Sequence, residues 1–252
     1  MKRGKLVTWG LAAALVLLTL PALAAEQAVD VQLAPERVQI TTFYDGADLK
    51  VSGTAPDGEQ VAIRLSNEPR EAAFRVKGQL WGFLWMNQGE VIFHGLPTVN
   101  LYQASGVPEA NFHLGLKALR SQAKIEAGAG DPDQLFEEFM KIKQGEGLYS
   151  FSPQGVTLGP AQGGSRTFES EFHLPPRLPK GEYRVQVYLR DAAGQITPGP
   201  QRQLMVEEVG FPALMSSLAF NYSLLYGVLA SLVALLGGLI TSLLFKGGGG
   251  AH

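Results

Sequence analysis

The sequence predicts a mainly β protein, an immunoglobulin-like antiparallel β-sandwich with a two-helix insert, followed by one C-terminal transmembrane helix. Short apolar segments recur between turn residues on both sides of mid-chain, and an uncharged run occupies 224–245. In Tyr183-Arg184-Val185-Gln186-Val187-Tyr188-Leu189 apolar and polar residues alternate, so one face is buried and the other wet. Many short strands, polar turns and no long helix before mid-chain fit two packed antiparallel sheets.

The chain has 252 residues and no Cys, with a formal net charge of -2. Without Cys there is no disulfide framework, zinc ribbon, iron–sulfur ligation or c-type haem attachment. No basic excess invites nucleic acid. Charged residues make up 17%, below the roughly 25% usual in soluble domains, because the apolar excess sits at the two ends.

Lys2, Arg3 and Lys5 precede an apolar run over 6–20, which Pro21 breaks before Ala22-Leu23-Ala24. Positive start, apolar middle and small residues two apart are the layout of a secretory signal peptide, assigned to 1–24. The exported domain is then 25–209.

After an extended lead over 29–36, the segments 38–43 and 49–53 flank Asp45-Gly46 and read as a hairpin. Residues 61–65 alternate, and 72–76, 80–86 and 91–93 follow between turn signals. Over 80–86, Trp81, Phe83 and Trp85 fall on one face and Leu80, Leu84 and Met86 on the other. Apolar residues on both faces predict a strand covered on both sides. The other reading is a ligand-stacking platform built on Trp81 and Trp85.

A helical insert over about 111–145 divides the strands. Residues 111–125 carry Leu116, Leu119 and Ala123 at helical spacing. In the second helix Asp131 is an N-cap, Pro132 suits the first position and Gln134 completes a capping-box pattern. Leu135, Phe139 and Ile142 recur at i, i+4 and i+7 with Phe136 and Met140 beside them, and Gly145 is the expected stop. Phe136, Phe139 and Met140 are candidate partner-surface residues, the other reading being a cap on one open edge of the sandwich. Strands resume at 167–174, 183–189 and 203–206, with Asp191-Ala192-Ala193-Gly194 as a turn.

A juxtamembrane segment, 210–223, leads into the span at 224–245. At about 1.5 Å per residue that run reaches roughly 33 Å, enough for a hydrocarbon core of about 30 Å. Tyr222 and Tyr226 mark one boundary and Lys246 the other. The tail 246–252 is expected in the cytoplasm and the domain in the periplasm, anchored in a bacterial inner membrane. Stepped at about 100° per residue from Ala219, the small residues Ala219, Ser223, Gly227, Ala230, Ser231, Ala234, Gly238 and Ser242 gather on one side, within roughly 140°. Lipid tails are as apolar as Leu, so burying Leu gives helices no drive to associate. Small faces do, through close backbone approach and interhelical hydroxyl bonds. The expected partner is another transmembrane protein or a second copy of the chain.

Catalytic and metal motifs are missing from the sequence. His94, His113 and His173 show no metal-ligand spacing, and neither a G-x-S-x-G elbow nor an S-x-x-K pair occurs. The expectation is a non-catalytic protein without metal or cofactor. Arg64, Arg70 and Arg75, on neighbouring segments, could gather into an anion-binding patch. With Trp81 and Trp85 they define the alternative, a tethered module for a small anion or a glycan.

Over nearly the whole mature chain the sequence resembles a family of predicted transmembrane proteins of unknown function, first noted in alphaproteobacteria. The resemblance is carried by Arg64-Leu65, Phe74-Arg75-Val76-Lys77-Gly78, Trp85-Met86-Asn87, Val91-Ile92-Phe93 and Pro97 followed by Tyr102-Gln103-Ala104-Ser105. Phe112-His113-Leu114-Gly115-Leu116 and Gly181-Glu182-Tyr183 add to it. It implies a signal peptide, an exported domain and one C-terminal span, and company with membrane transport proteins of the sulfite-exporter type. It implies no site residues. The function expected is a membrane-anchored periplasmic accessory subunit of an inner-membrane complex.

Overall fold

A computed structural model of the chain describes residues 29–81, 83–106, 112–128 and 130–245. The predicted signal peptide and the tail lie outside them.

The chain opens with β1 (Val31–Ala34), β2 (Arg37–Ile40), β3 (Ala47–Pro56) and β4 (Gln60–Asn67), then β5 (Ala72–Leu80), β6 (Leu84–His94) and β7 (Asn100–Ala104). Next come α1 (Leu116–Gln122), β8 (Lys124–Ala127) and α2 (Pro132–Gly145). The second strand group is β9 (Tyr149–Ser152), β10 (Val156–Gln162), β11 (Ser165–Leu174), β12 (Gly181–Arg190) and β13 (Ile196–Glu208). Two helices, α3 (Phe211–Asn221) and α4 (Ser223–Phe245), close the described chain.

Among the described residues the strands form three sheets, ordered β1-β3-β11-β10, β2-β13-β12-β4-β7-β9 and β5-β6-β8. Pairing is antiparallel except for β2 with β13 and β7 with β9, which are parallel. Alternation puts every second residue inside: Phe168, Phe172 and Leu174 of β11 are buried, as are Tyr183, Val185, Val187 and Leu189 of β12. These side chains, with Leu49 and Val51 of β3 and Ile63 and Leu65 of β4, belong to one apolar cluster shared by the two larger sheets. A second cluster, Ala62, Tyr102, Ala104 and Phe112, is separate from it.

The hairpin expected near the N-terminus does not form, because the segments 38–43 and 49–53 do not pair. Val38 of β2 lies beside Val206 of β13, whereas Val51 of β3 lies beside Leu33 of β1 and Ser170 of β11. Both segments bury apolar residues in the same core from different sheets, which local alternation cannot distinguish. The segment 80–86 is not a covered strand. It spans the turn of the β5–β6 hairpin, where Trp81 has φ 55° and is 78% exposed and Phe83 is 73% exposed. The insert is not a helix pair alone, because α1 ends before Ala123 and β8 adds to β6, pairing Val91 with Ala127 and Phe93 with Ile125. An available sheet edge outweighs the helical spacing of the preceding residues.

The start of α2 forms where Asp131 and Pro132 place it. The Asp131 carboxylate accepts from the Asp133 N–H at the N-terminus of α2, and Pro132 occupies the first turn. The stop differs: Gly145 is the last helical residue, and it is Gly147 that adopts positive φ, 71°.

Candidate functional site

Most of the residues singled out from the sequence fall on four places in the structure.

The first is the aromatic junction between α2 and the third sheet. Phe139 is 2% exposed, its ring centroid 4.5 Å from that of Phe93, 5.8 Å from Phe74 and 5.8 Å from Tyr149. Phe139 is therefore a core residue joining helix, hairpin root and six-stranded sheet, and not part of an exposed partner surface. Lys143, one turn on, is buried, with its Nζ 5.7 Å from the Phe139 ring centroid and 6.0 Å from that of Phe74. Burial pushes its pKa down, and Glu146 opposes that shift. Phe136 and Met140 are buried too, but both line an open groove of about 860 Å³ between α1 and α2. The Arg120–Asp133 ion pair, at 2.7 Å, joins the two helices beside this groove.

The second place is a concavity of about 230 Å³ on the six-stranded sheet, lined by Arg64, Arg184, Gln186 and Tyr188 among others. The Arg64 Nε donates to the Asn100 side-chain oxygen at 2.6 Å, so this guanidinium is partly committed to a fully buried amide. Neither Arg70 nor Arg75 lines the concavity. Arg70 lies against Gly181 and Arg75 stands on β5, so the three arginines belong to different surroundings. Arg184, remote from Arg64 in sequence, is the cation that cross-strand register brings close: Arg184 pairs with Ser66 and Gln186 with Arg64. Only the pairing of β4 with β12 reveals it.

The third place is the hairpin tip. Trp81 and Phe83 have ring centroids 6.4 Å apart, and Leu84 and Met86 are also exposed. Trp85 lies on β6, and its side chain is outside the described part. The root of the same hairpin is buried, with Val91 and Phe93 in the core and Phe74 and Val76 packed against it. No carboxylate occurs between Glu71 and Glu90, while Arg75 and Lys77 are both exposed.

The fourth place is the C-terminal helices. Among the described residues α4 is the one helix long and apolar enough to cross a membrane, and none of its residues is buried. Gly227, Ala230, Ser231, Ala234, Gly238 and Ser242 are on α4, which begins at Ser223. Ala219 is on α3, and Tyr222 (φ -130°, ψ 48°) breaks the helical path between them. The row counted from Ala219 is thus interrupted, and the small flank proper starts within α4. The Ser231 hydroxyl donates to the Gly227 carbonyl and the Thr241 hydroxyl to the Gly237 carbonyl, so these donors are used inside the helix. What the flank offers a neighbour is close backbone approach.

The histidines are dispersed. His94 sits between Glu71, at 3.2 Å, and Glu126, at 3.6 Å, while His173 contacts Asp48 at 2.8 Å. His113 adopts φ 55° in the connection before α1.

The family model described as "Putative transmembrane protein (Alph_Pro_TM)" matches residues 28–247. No curated protein matches the chain. Of solved structures, a chain from a study of T cell specificity and activation by the bacterial superantigen toxic shock syndrome toxin-1 is similar at 12% identity. The match covers 71% of this chain and 100% of that one, with a TM-score of 0.22.

Proposed function

The chain belongs to the Alph_Pro_TM family of transmembrane proteins, and we propose that it is a non-catalytic, membrane-anchored accessory subunit of an inner-membrane transport assembly. Residues 1–24 act as the signal peptide, the β domain faces the periplasm and the tail after α4 stays in the cytoplasm. Lys246 agrees with that orientation through the positive-inside tendency.

The domain is read as an immunoglobulin-like sandwich. Its strand order supports this: β1-β3-β11-β10 corresponds to an A-B-E-D sheet and β13-β12-β4-β7 to G-F-C-C′. The Tyr183 hydroxyl, near the start of β12, donates to the Pro179 carbonyl at 2.6 Å, the bond of a tyrosine corner.

One observation carries the functional reading. On α4 the small residues from Gly227 to Ser242 share a flank while most of the larger apolar side chains cover the remainder, an asymmetry that a plain tether does not need. The partner proposed is a transmembrane helix of another membrane protein. The test is replacement of Gly227, Ala234 and Gly238 by Leu, followed by mild-detergent co-purification and mass spectrometry. Loss of co-purifying membrane protein with insertion intact supports the reading. An unchanged set of partners, or a chain that runs as a homodimer alone, overturns it.

A further inference from the structure

We propose that the tip of the β5–β6 hairpin is a second membrane contact, in which the rings of Trp81 and Phe83 enter the headgroup zone of the bilayer that α4 crosses. The inference rests on the membrane-anchored reading and is independent of helix docking.

The hairpin root is fixed in the core through Phe93 and Val91, yet beyond Val76 the apolar content rises while burial falls, to 78% exposure at Trp81 and 73% at Phe83. A soluble surface seldom gathers Trp, Phe, Leu and Met on one projecting turn without something to cover them. Charge adds a direction. The nearest carboxylates are Glu71 and Glu90 at the root, and Lys77 is the charged residue nearest the tip. An apolar aromatic tip with a cation behind it suits a lipid interface, where Trp prefers the headgroup level and a cation meets phosphate.

Topology then supplies the reach. The hairpin and the anchor leave the same end of the six-stranded sheet: Gly181 pairs with Val206 and Tyr183 with Asn67. Beyond Asn67 the chain enters β5, and beyond Glu208 it enters α3. Lys180 ties this end to α3, its Nζ donating to the Glu208 carboxylate at 2.8 Å and to the Ser216 hydroxyl at 2.9 Å. Arg70, at the hairpin base, lies against Gly181 in the same corner. From there nine residues of β5 at about 3.3 Å each extend roughly 30 Å, a length comparable to the bilayer core itself.

The chain carries its own probe. Of three Trp, Trp81 and Trp85 flank the tip, and the remaining one is Trp9. Full-length chain with Trp9→Phe is reconstituted into vesicles of phosphatidylcholine and phosphatidylglycerol, with plain or dibrominated acyl chains. Tryptophan emission is expected to be blue-shifted and to lose roughly half its intensity in the brominated vesicles, as for rings seated at the interface. Phe83→Asp with Leu84→Asp is expected to abolish the quenching while the chain still sediments with vesicles. Equal emission in both lipids overturns the proposal. A blue shift that follows protein density but ignores bromine assigns the tip to a second copy, and also overturns it. Failure of the chain to sediment would instead strike the anchored reading.

Discussion

The Tyr183 hydroxyl donates to the carbonyl oxygen of Pro179, four residues upstream, at 2.6 Å, while the Tyr183 ring is 1% exposed in the core. The bond pins the turn before β12 to the strand it introduces, at the end of the sheet that carries the anchor. Tyr183→Phe keeps the ring and leaves the carbonyl without its donor, at an expected cost of about 1–3 kcal/mol in chemical denaturation of the detergent-solubilised chain. Burial raises the Tyr183 pKa, with Arg70 opposing. Above about pH 10 the unfolded state ionises while the folded state keeps its proton, so stability falls as pH rises, and less steeply in the Phe variant. A loss within 0.5 kcal/mol, taken as about the scatter of neutral surface changes, would deny the bond its structural role.

Lys143 gives the opposite sign. Its folded pKa is depressed by burial, so between that value and the ordinary lysine value of about 10.4 the folded chain binds fewer protons than the unfolded one. Stability therefore rises with pH across that window. Lys143→Met removes the buried cation and flattens the slope. Thermal melts should show the two chains drawing together as pH approaches the upper limit, and parallel curves would contradict the assignment.

Phe139→Ala deletes the ring on which Phe74, Phe93, Phe136 and Tyr149 converge. The expected loss is about 3–5 kcal/mol. Hydrogen exchange should show α2 and β8 losing protection more than β11 and β12, since Phe139 joins the third sheet to the larger core. A uniform loss would mean that the insert unfolds with the two larger sheets as one unit.

Gly53 of β3 lies between β1 and β11, paired with Val31 and Phe168. A Cβ there would collide with the Asp30 carbonyl oxygen and lie 2.6 Å from the Phe168 ring. Gly53→Ala is expected to cost about 1–3 kcal/mol by overpacking. Gly58, with nothing within 4 Å of its Cβ position, has space but positive φ, 83°, so Gly58→Ala is the control for backbone strain alone.

Strands with one wet face were legible from the sequence because alternation is a local record of burial. Tyr183-Arg184-Val185-Gln186-Val187 forms β12 with its apolar face inward, as its alternation indicates, and the 167–174 segment forms β11. The Asp131-Pro132 start of α2 was legible for a similar reason, since capping is chemistry between near neighbours. The surroundings of the candidate sites were not. Trp81 and Phe83 have the pattern of a covered strand, and only the chain reversal between β5 and β6 leaves them exposed. Phe139 has the pattern of a helix face open to a partner, and only the approach of Phe74 and Phe93 makes it core.

By itself the sequence determined the class of the domain, the uncharged helix at its end and the flank of small residues on that helix. Each depends on side-chain periods of a few residues, which the backbone geometry of strand and helix converts directly into faces. Tertiary structure decided which sheet each strand joined, which arginines became neighbours, where the row beginning at Ala219 was interrupted, and that the hairpin tip was left uncovered. Those outcomes depend on pairings between residues far apart in the chain, whose free energy is set by what the rest of the fold brings alongside.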